Sequence, residues 1–272
     1  MIATAVDNIL VVKLGGGEGL DLDASCDDLA NTARNRPMVV LHGVSALANR
    51  MCEEAGHPVQ MLTSPSGHSS RYTDPITRDI FVQASEIANR EVVERLQARG
   101  INAIGLTGNE TAILGERKKA VRAIVAGRVR VVHDDYSGSI SGVDSDRIIQ
   151  LLQAGYVPVL PPMATSEDGL LNIDGDRAAA AVASALRANE LVILSNVRGL
   201  YRNFPDEASF VGQVSSQQFG SALEWAQGRM KRKVLGAQEA LDGGVARVII
   251  GDGRVSSPVR QALAGQGTVF VR

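Results

Sequence analysis

Cysteine is scarce in this chain, with Cys26 and Cys52 the only two in 272 residues. Two thiols without metal-ligand spacing cannot build a disulfide framework, so they read as packing residues of a protein kept in a reducing compartment. An excess of charge of one sign is also missing: 28 basic side chains face 30 acidic ones. A balanced chain lacks the global field that holds nucleic acid or an anionic membrane, so any anion site must be local. No apolar run reaches the roughly eighteen residues a spanning helix needs, and no basic segment precedes an apolar one at the start of the chain. These absences lead us to expect a cytoplasmic protein with no nucleic-acid or membrane partner. His42, His57, His68 and His133 are scattered without metal spacing, and no protein-held metal is expected. His42 reads as a packed, hydrogen-bonded histidine. Low-complexity segments and solenoid repeats are absent too, which excludes an array.

What is present is an alternation of short apolar runs with helical patterns. Strands are predicted near 9–14, 38–41, 102–106, 156–160, 190–194, 247–250 and 268–271, with amphipathic stretches between most of them. That pattern implies an α/β fold, a three-layer αβα sandwich around a mainly parallel sheet. The longest helix is predicted over 76–99, with Ile80, Phe81, Ala84, Ile87, Ala88, Val92 and Leu96 at helical spacing and Gly100 ending it. Between 113 and 136 the pattern changes to paired ribbon strands carrying Arg117, Lys118, Lys119, Arg122, Arg128 and Arg130, with Gly127 between them. Pro158, Pro161 and Pro162, followed by Ser166-Glu-Asp-Gly, suggest a boundary near 165. The expected lobes are therefore 1–165 and 166–272.

The chemistry gathers at a few turns. Lys13 ends an apolar, β-branched run and is followed by Gly15, Gly16 and Gly17, whose backbone amides can approach a phosphate closely. A second strand runs into His42-Gly43-Val44-Ser45 and then a helix, so two helix N-termini would face one anion. Far along the chain, Lys233 closes the segment Gly228-Arg229-Met230-Lys231-Arg232-Lys233. Two such lysines suggest phosphoryl transfer, in which the protein positions the reactants and neutralises the charge on the equatorial oxygens. Asn172-Ile-Asp174-Gly175-Asp176 precedes an alanine-rich helix that either Asp174 or Asp176 can cap. Alternatively, Asp176 holds the two ammonium groups, which two converging cations require if they are not to repel each other.

Taken in order, Lys-Leu-Gly-Gly, His-Gly, Arg-x-Thr-Asp, Asn-x-Asp-Gly-Asp, Leu-Ser-Asn-Val-x-Gly-Leu and Gly-x-Met-x-x-Lys-Val resemble the amino acid kinase family, and within it the acetylglutamate kinase group, over almost the whole chain. Arg71-Tyr-Thr-Asp74, the Arg117-Lys118-Lys119 run and Gly228-Arg-Met-Lys-Arg-Lys-Val resemble the members that phosphorylate α-aminoadipate carried on the amino-group carrier protein LysW. The resemblance implies the carbamate kinase-like fold, ATP as co-substrate with Mg2+ bound through the nucleotide phosphates, and attack by a side-chain carboxylate to give an acyl phosphate. It also implies a homodimer and an acidic carrier as partner. Lys13 and Lys233 become transition-state stabilisers organised by Asp176. Gly15, Gly16, Gly43 and Val44 lend amides to the phosphoryl group, the last two also meeting the acceptor. Arg71 and Asn172 bind the acceptor, while Ser195, Asn196, Gly199, Leu200, Tyr201 and Met230 line the nucleotide pocket.

Arg117, Lys118, Lys119 and Arg122 are expected to dock the carrier, because basic patches speed encounters with acidic partners. Two departures from the acetylglutamate kinases stand out. Val44 follows Gly43 where that group has a second glycine, narrowing the space an acetyl group would use. Arg229 replaces another glycine, next to Lys231 and Arg232, which read as a solvated helix face. Acetylglutamate kinase of arginine biosynthesis is the alternative activity, although the few residues before the first strand leave little room for the helix used in arginine feedback. Uridylate kinase is disfavoured because Arg71 with Asn172 suits an amino-acid amide better than a nucleobase. A non-catalytic nucleotide or amino-acid sensor would be expected to have lost a lysine or the organising aspartate, and all three are present.

Overall fold

The computed structural model describes residues 6–65, 69–125 and 128–272. His68, Gly127 and the first five residues, all read in the sequence, lie outside the described residues. The eight helices among the described residues are α1 (Leu22–Ala33), α2 (Ser45–Glu54), α3 (Pro75–Gln97), α4 (Ser145–Gln153), α5 (Gly175–Ala185), α6 (Phe219–Trp225), α7 (Arg229–Asp242) and α8 (Pro258–Leu263). They cover an eight-stranded sheet in which β1 (Leu10–Leu14) is flanked by β2 (Met38–His42) on one side and the strand Glu190–Ser195 on the other. Beyond β2 come Val157–Leu160 and Ala103–Gly105; beyond Glu190–Ser195 come Arg247–Asp252, Thr268–Val271 and Gln213–Ser215. Every adjacent pair is parallel except Arg247–Asp252 with Thr268–Val271. All seven predicted strands are present. Gln213–Ser215 had no sequence signal, being short and polar at both ends.

β1 is buried throughout, as a strand covered on both faces must be. Its alternation sorts two cores. Leu10, Val12 and Leu14 pack with Leu29, Leu96 and Val259 from α1, α3 and α8. Ile9 and Val11 pack with the alanines of α5 and with Val234 and Ala237 of α7. Because side chains two apart share a face, Lys13 belongs on the α5 and α7 side, at the carboxyl end of the strand.

The predicted helix over 76–99 is α3, begun by the Asp74 cap and Pro75 and followed by Gly100 at φ 76°. The ribbon takes a different form from the simple pair expected. Ile113–Arg117 joins Gly138–Val143, Met163–Ser166 and Gly169–Asn172 in a four-stranded sheet, and only Val121–Val125 with Arg128–Val132 forms the isolated hairpin. Position 165 lies inside the strand Met163–Ser166, paired with Leu114. The main sheet runs continuously across both sides of that point.

Candidate active site

The site forms at the carboxyl ends of β1 and β2, where ligands of open α/β sheets settle. Gly16 and Gly43 bring the two loops together backbone against backbone. A Cβ on Gly16 would lie 2.3 Å from the Gly43 carbonyl carbon, and one on Gly43 would lie 2.5 Å from the Gly16 nitrogen. Gly43 N–H donates to the Leu14 carbonyl at 2.9 Å, and Ala46 N–H to the Gly16 carbonyl at 2.8 Å. The start of α2 is thereby pinned beside the glycine loop. Val44 is buried against Ala48, Phe81 and Met163, so its side chain belongs to the core and only its main chain can serve the site.

Lys13 and Lys233 meet on one carboxylate. Lys13 Nζ is 2.9 Å from Asp176 Oδ1, and Lys233 Nζ donates to Asp176 Oδ2 at 2.9 Å. The three are 6, 8 and 7 % exposed. α5 and α7 can place them so closely because small residues line their contact: a Cβ on Gly236 would stand 3.1 Å from the Asp176 carbonyl oxygen. Asp174 caps α5, accepting from the Asp176 and Arg177 amides at 3.0 Å each. The two aspartates thus divide the two roles the sequence left open. Burial would push Asp176 up, but the Lys13 and Lys233 charges outweigh it and hold the carboxyl well below the usual range. Lys233 is lowered, first by burial and then by the Lys13 charge, against the pull of Asp176.

Arg71 lies on the short strand Ser69–Arg71. Its Nη2 donates to Asn49 Oδ1 at 2.6 Å, and its Nη1 is buried with no hydrogen-bond partner. Burial lowers its pKa, and the neighbouring Arg229 charge adds to that. Arg229 reaches toward the glycine loop, with Nη1 3.7 Å from where a Gly17 Cβ would be. A guanidinium with an unmet donor beside a second cation is suited to carboxylate. Asn172 ends the strand Gly169–Asn172 and donates from Nδ2 to Thr73 Oγ1 at 3.0 Å.

The expected nucleotide residues are less uniform. Asn196 is exposed and Met230 half-buried. Ser195 is buried, its carbonyl accepting from Gly253 N–H at 2.7 Å. Gly199 packs against Thr268 and Phe210, while Leu200 N–H donates to Thr268 Oγ1 at 2.8 Å. Tyr201 is buried and its hydroxyl donates to Glu207 at 2.9 Å. Leu200 and Tyr201 are therefore buried in the packing around Thr268 and Glu207.

Among the expected docking cations, Lys118, Lys119 and Arg122 are exposed, as are Arg128 and Arg130. Arg117 differs: it donates to the Asp135 and His133 carbonyls at 3.0 and 2.8 Å and lies 3.9 Å over the Tyr136 ring. It is tied to its own fold. Arg232 departs from the solvated face expected of it, pairing with Asp174 at 3.2 Å and bonding the Ser69 carbonyl; Lys231 is exposed. His42 is fully buried with Asn89 Nδ2 3.1 Å from its Nε2. Burial lowers its pKa to about 4, so it stays neutral. Sequence reasoning missed Asn49, for which one α2 residue among many gave no signal. It gave no role to Thr73, although the Arg-x-Thr-Asp motif contains it.

Residues 8–252 match the amino acid kinase family, and the chain belongs to it. It is 47% identical to the [LysW]-aminoadipate kinase of Deinococcus radiodurans, covering 99% of this chain and 94% of that one. It is 45% identical to the enzyme of the same name from Thermus thermophilus, covering 96% and 99%. Among solved structures, N-acetylglutamate synthase from Neisseria gonorrhoeae is similar with a TM-score of 0.79 at 25% identity, covering 97% of this chain and 59% of that one. Carbamate kinase from Giardia lamblia shares the fold, with a TM-score of 0.67 at 16% identity and 99% of each chain covered.

Proposed function

We propose that this enzyme uses ATP to phosphorylate the side-chain carboxylate of α-aminoadipate attached to a LysW-like carrier protein, with carrier-linked glutamate as a second acceptor. The observation that carries the reaction type is the pairing of Lys13 and Lys233 on Asp176. One carboxylate neutralises about one of the two positive charges, leaving a net cation for the transferring phosphoryl group at the mouth of the two glycine loops. An acceptor carboxylate oxygen bonds to the γ-phosphorus as the bond to the β–γ bridging oxygen breaks, and ADP departs with that electron pair. Charge spreads over the equatorial oxygens, where the ammonium groups and loop amides strengthen their hold. Mg2+ would arrive on the nucleotide phosphates and supply further charge neutralisation. Both Asp176 oxygens are engaged by lysines, so that carboxylate is not free to cage it.

The acceptor side supports the amino-acid reading: Arg71 offers an unpaired donor, and Asn172 ends the strand that leads to Asp176. The relatives' names support the carrier, and one from Pyrobaculum islandicum, 36% identical, couples aminoadipate with glutamate. Lys118, Lys119, Arg122, Arg128 and Arg130 form the docking surface for the acidic carrier, with Arg117 bracing the ribbon beneath them. The division near 165 gives an acceptor lobe and a nucleotide lobe, the latter with Asn196, Gly199 and Met230 at the pocket. A dimer working in the cytoplasm completes the reading. Phosphorylation assays with carrier-linked aminoadipate, carrier-linked glutamate and free acetylglutamate test it, with Lys233→Ala as control. Turnover of the carrier conjugates is expected; turnover of acetylglutamate alone makes the enzyme an acetylglutamate kinase instead.

A further inference from the structure

We propose that Arg232 is a positioning residue that sets the side-chain length of the preferred acceptor, by tying the strand that carries Arg71 to the start of α5, which carries Asp176. This rests on the acceptor reading above and goes beyond it by assigning the residue that separates aminoadipate from glutamate.

Arg232 lies on α7 one residue before Lys233, and its guanidinium is divided between two partners. Nη1 donates to Asp174 Oδ2 at 3.2 Å, while Nη2 donates to the Ser69 carbonyl. Asp174 is divided as well. Its Oδ1 accepts from the Asp176 and Arg177 amides at 3.0 Å each, so Arg232 holds the same carboxylate that caps α5. Asp176 in turn receives both lysines. At the other end of the tie, Ser69 opens the strand that Arg71 closes, with Thr63 paired to Ser69 and Met61 to Arg71. Asn49 of α2 fastens the Arg71 end. Residues two apart on a strand are about 7 Å apart, so Arg232 grips the strand one short step from the guanidinium that takes the acceptor's carboxylate.

An aminoadipate linked through its nitrogen keeps two carboxylates, one beside that nitrogen and one at the end of the side chain. In the proposed reaction the first meets Arg71 and the second attacks the phosphoryl group held by Lys13 and Lys233. The span between those two places therefore measures side-chain length. Arg232 joins the elements at both ends of it. Glutamate is one methylene shorter, which leaves its attacking oxygen on the order of 1 Å short, and a misplacement of that size can cost about a hundredfold in rate. A loose span would close on either acceptor, whereas a fixed one selects between them. Lysine cannot do the same, because its compact ammonium lacks the planar fork that reaches two acceptors on separate elements. Arg232 and Asp174 are both partly exposed, so their pairing adds little to stability and acts through position.

The test is steady-state kinetics on carrier-linked aminoadipate and carrier-linked glutamate with Arg232→Met, Arg232→Lys and Asp174→Asn, whose remaining oxygen can still cap α5. Wild type is expected to favour aminoadipate by about tenfold or more in kcat/KM, the scale of one methylene. Arg232→Met should lower that ratio about tenfold, with the ATP KM and the melting temperature unchanged. Arg232→Lys should stay within about threefold of Arg232→Met. Asp174→Asn should match Arg232→Met, and the double variant should lose little more. Equal losses on both conjugates, restored by Arg232→Lys, would make Arg232 a docking cation and overturn the proposal. An unchanged ratio in Arg232→Met, a wild type that uses both conjugates equally, or a parallel rise in the ATP KM would each overturn it too. If Asp174→Asn does not fold, the two Arg232 variants carry the same contrast. Wild-type failure to use either conjugate overturns the acceptor reading and this proposal together, whereas a preference that survives Arg232→Met overturns only the role of Arg232.

Discussion

Lys13 and Lys233 lie 6 and 8 % exposed with Asp176 between them, whereas Lys118, Lys119, Arg122, Arg128 and Arg130 stand exposed on and beside a two-stranded hairpin. No acidic side chain among the described residues pairs with any of those five. The same residue types serve opposite ends. In the first group, desolvation is costly and is offset by a carboxylate held at 2.9 Å from each ammonium, so position is fixed and the field is strong. In the second, solvated charges cost nothing to expose and remain free to meet a partner, at the expense of sensitivity to salt. Buried cations suit chemistry at one atom; exposed cations suit recognition over an area. Arg117, which neighbours the second group in sequence, shows that adjacency does not assign membership, because its guanidinium is bound to the fold.

Breaking the buried group should have the largest effect. Asp176→Asn leaves two buried ammonium groups facing each other, and denaturant unfolding should show a loss of about 3–5 kcal/mol together with near-complete loss of turnover. Under the proposed reaction, Lys233→Ala would remove a donor to the transferring phosphoryl and should lower kcat by roughly a hundredfold or more while the protein remains folded, as single-turnover assays and circular dichroism would show. Gly16→Ala forces a methyl group to within 2.3 Å of the Gly43 backbone. The loops must separate, so a stability cost of about 1–3 kcal/mol and a fall in kcat are expected by thermal melting and kinetics.

The exposed group should respond in KM alone. Replacing Lys118, Lys119 and Arg122 with alanine should raise the KM for the carrier conjugate about tenfold at low salt, and the gap to wild type should close as salt rises. The ATP KM should not move; an unchanged conjugate KM would remove the docking surface from the reading. The smallest effect is one of pH. Asp176 titrates below its unfolded value, so its stabilisation is present above about pH 3.9 and is lost as pH falls through that value toward the folded one. The stability difference between wild type and Asp176→Asn should therefore narrow in acid, measured by urea unfolding at a series of pH values.

Much of this is legible in the sequence. The β-branched runs and their spacing predicted the parallel sheet because strands buried on both faces must be apolar along their whole length, as β1 is. The glycine loops were legible for a related reason: a Cβ on Gly16 or Gly43 would collide with main chain, and only glycine avoids it. What escaped was either short and polar, such as Gln213–Ser215, or dependent on a distant neighbour, such as the grip of Asn49 on Arg71. Arg232 was misjudged because its partners, Asp174 and the Ser69 carbonyl, come from other elements.

By itself the sequence determined the layers of the fold and the two glycine turns, since these follow from local sterics and from periodicity, and it marked Lys13, Lys233 and Asp176 as candidates. Only the tertiary structure decided which aspartate caps α5 and which neutralises the lysines, which arginines are spent on the fold, and that Thr73 holds Asn172. Those outcomes depend on distances between residues far apart in the chain. Periodicity carries no information about such distances; the packing of α5 on α7 and of one loop on another sets them.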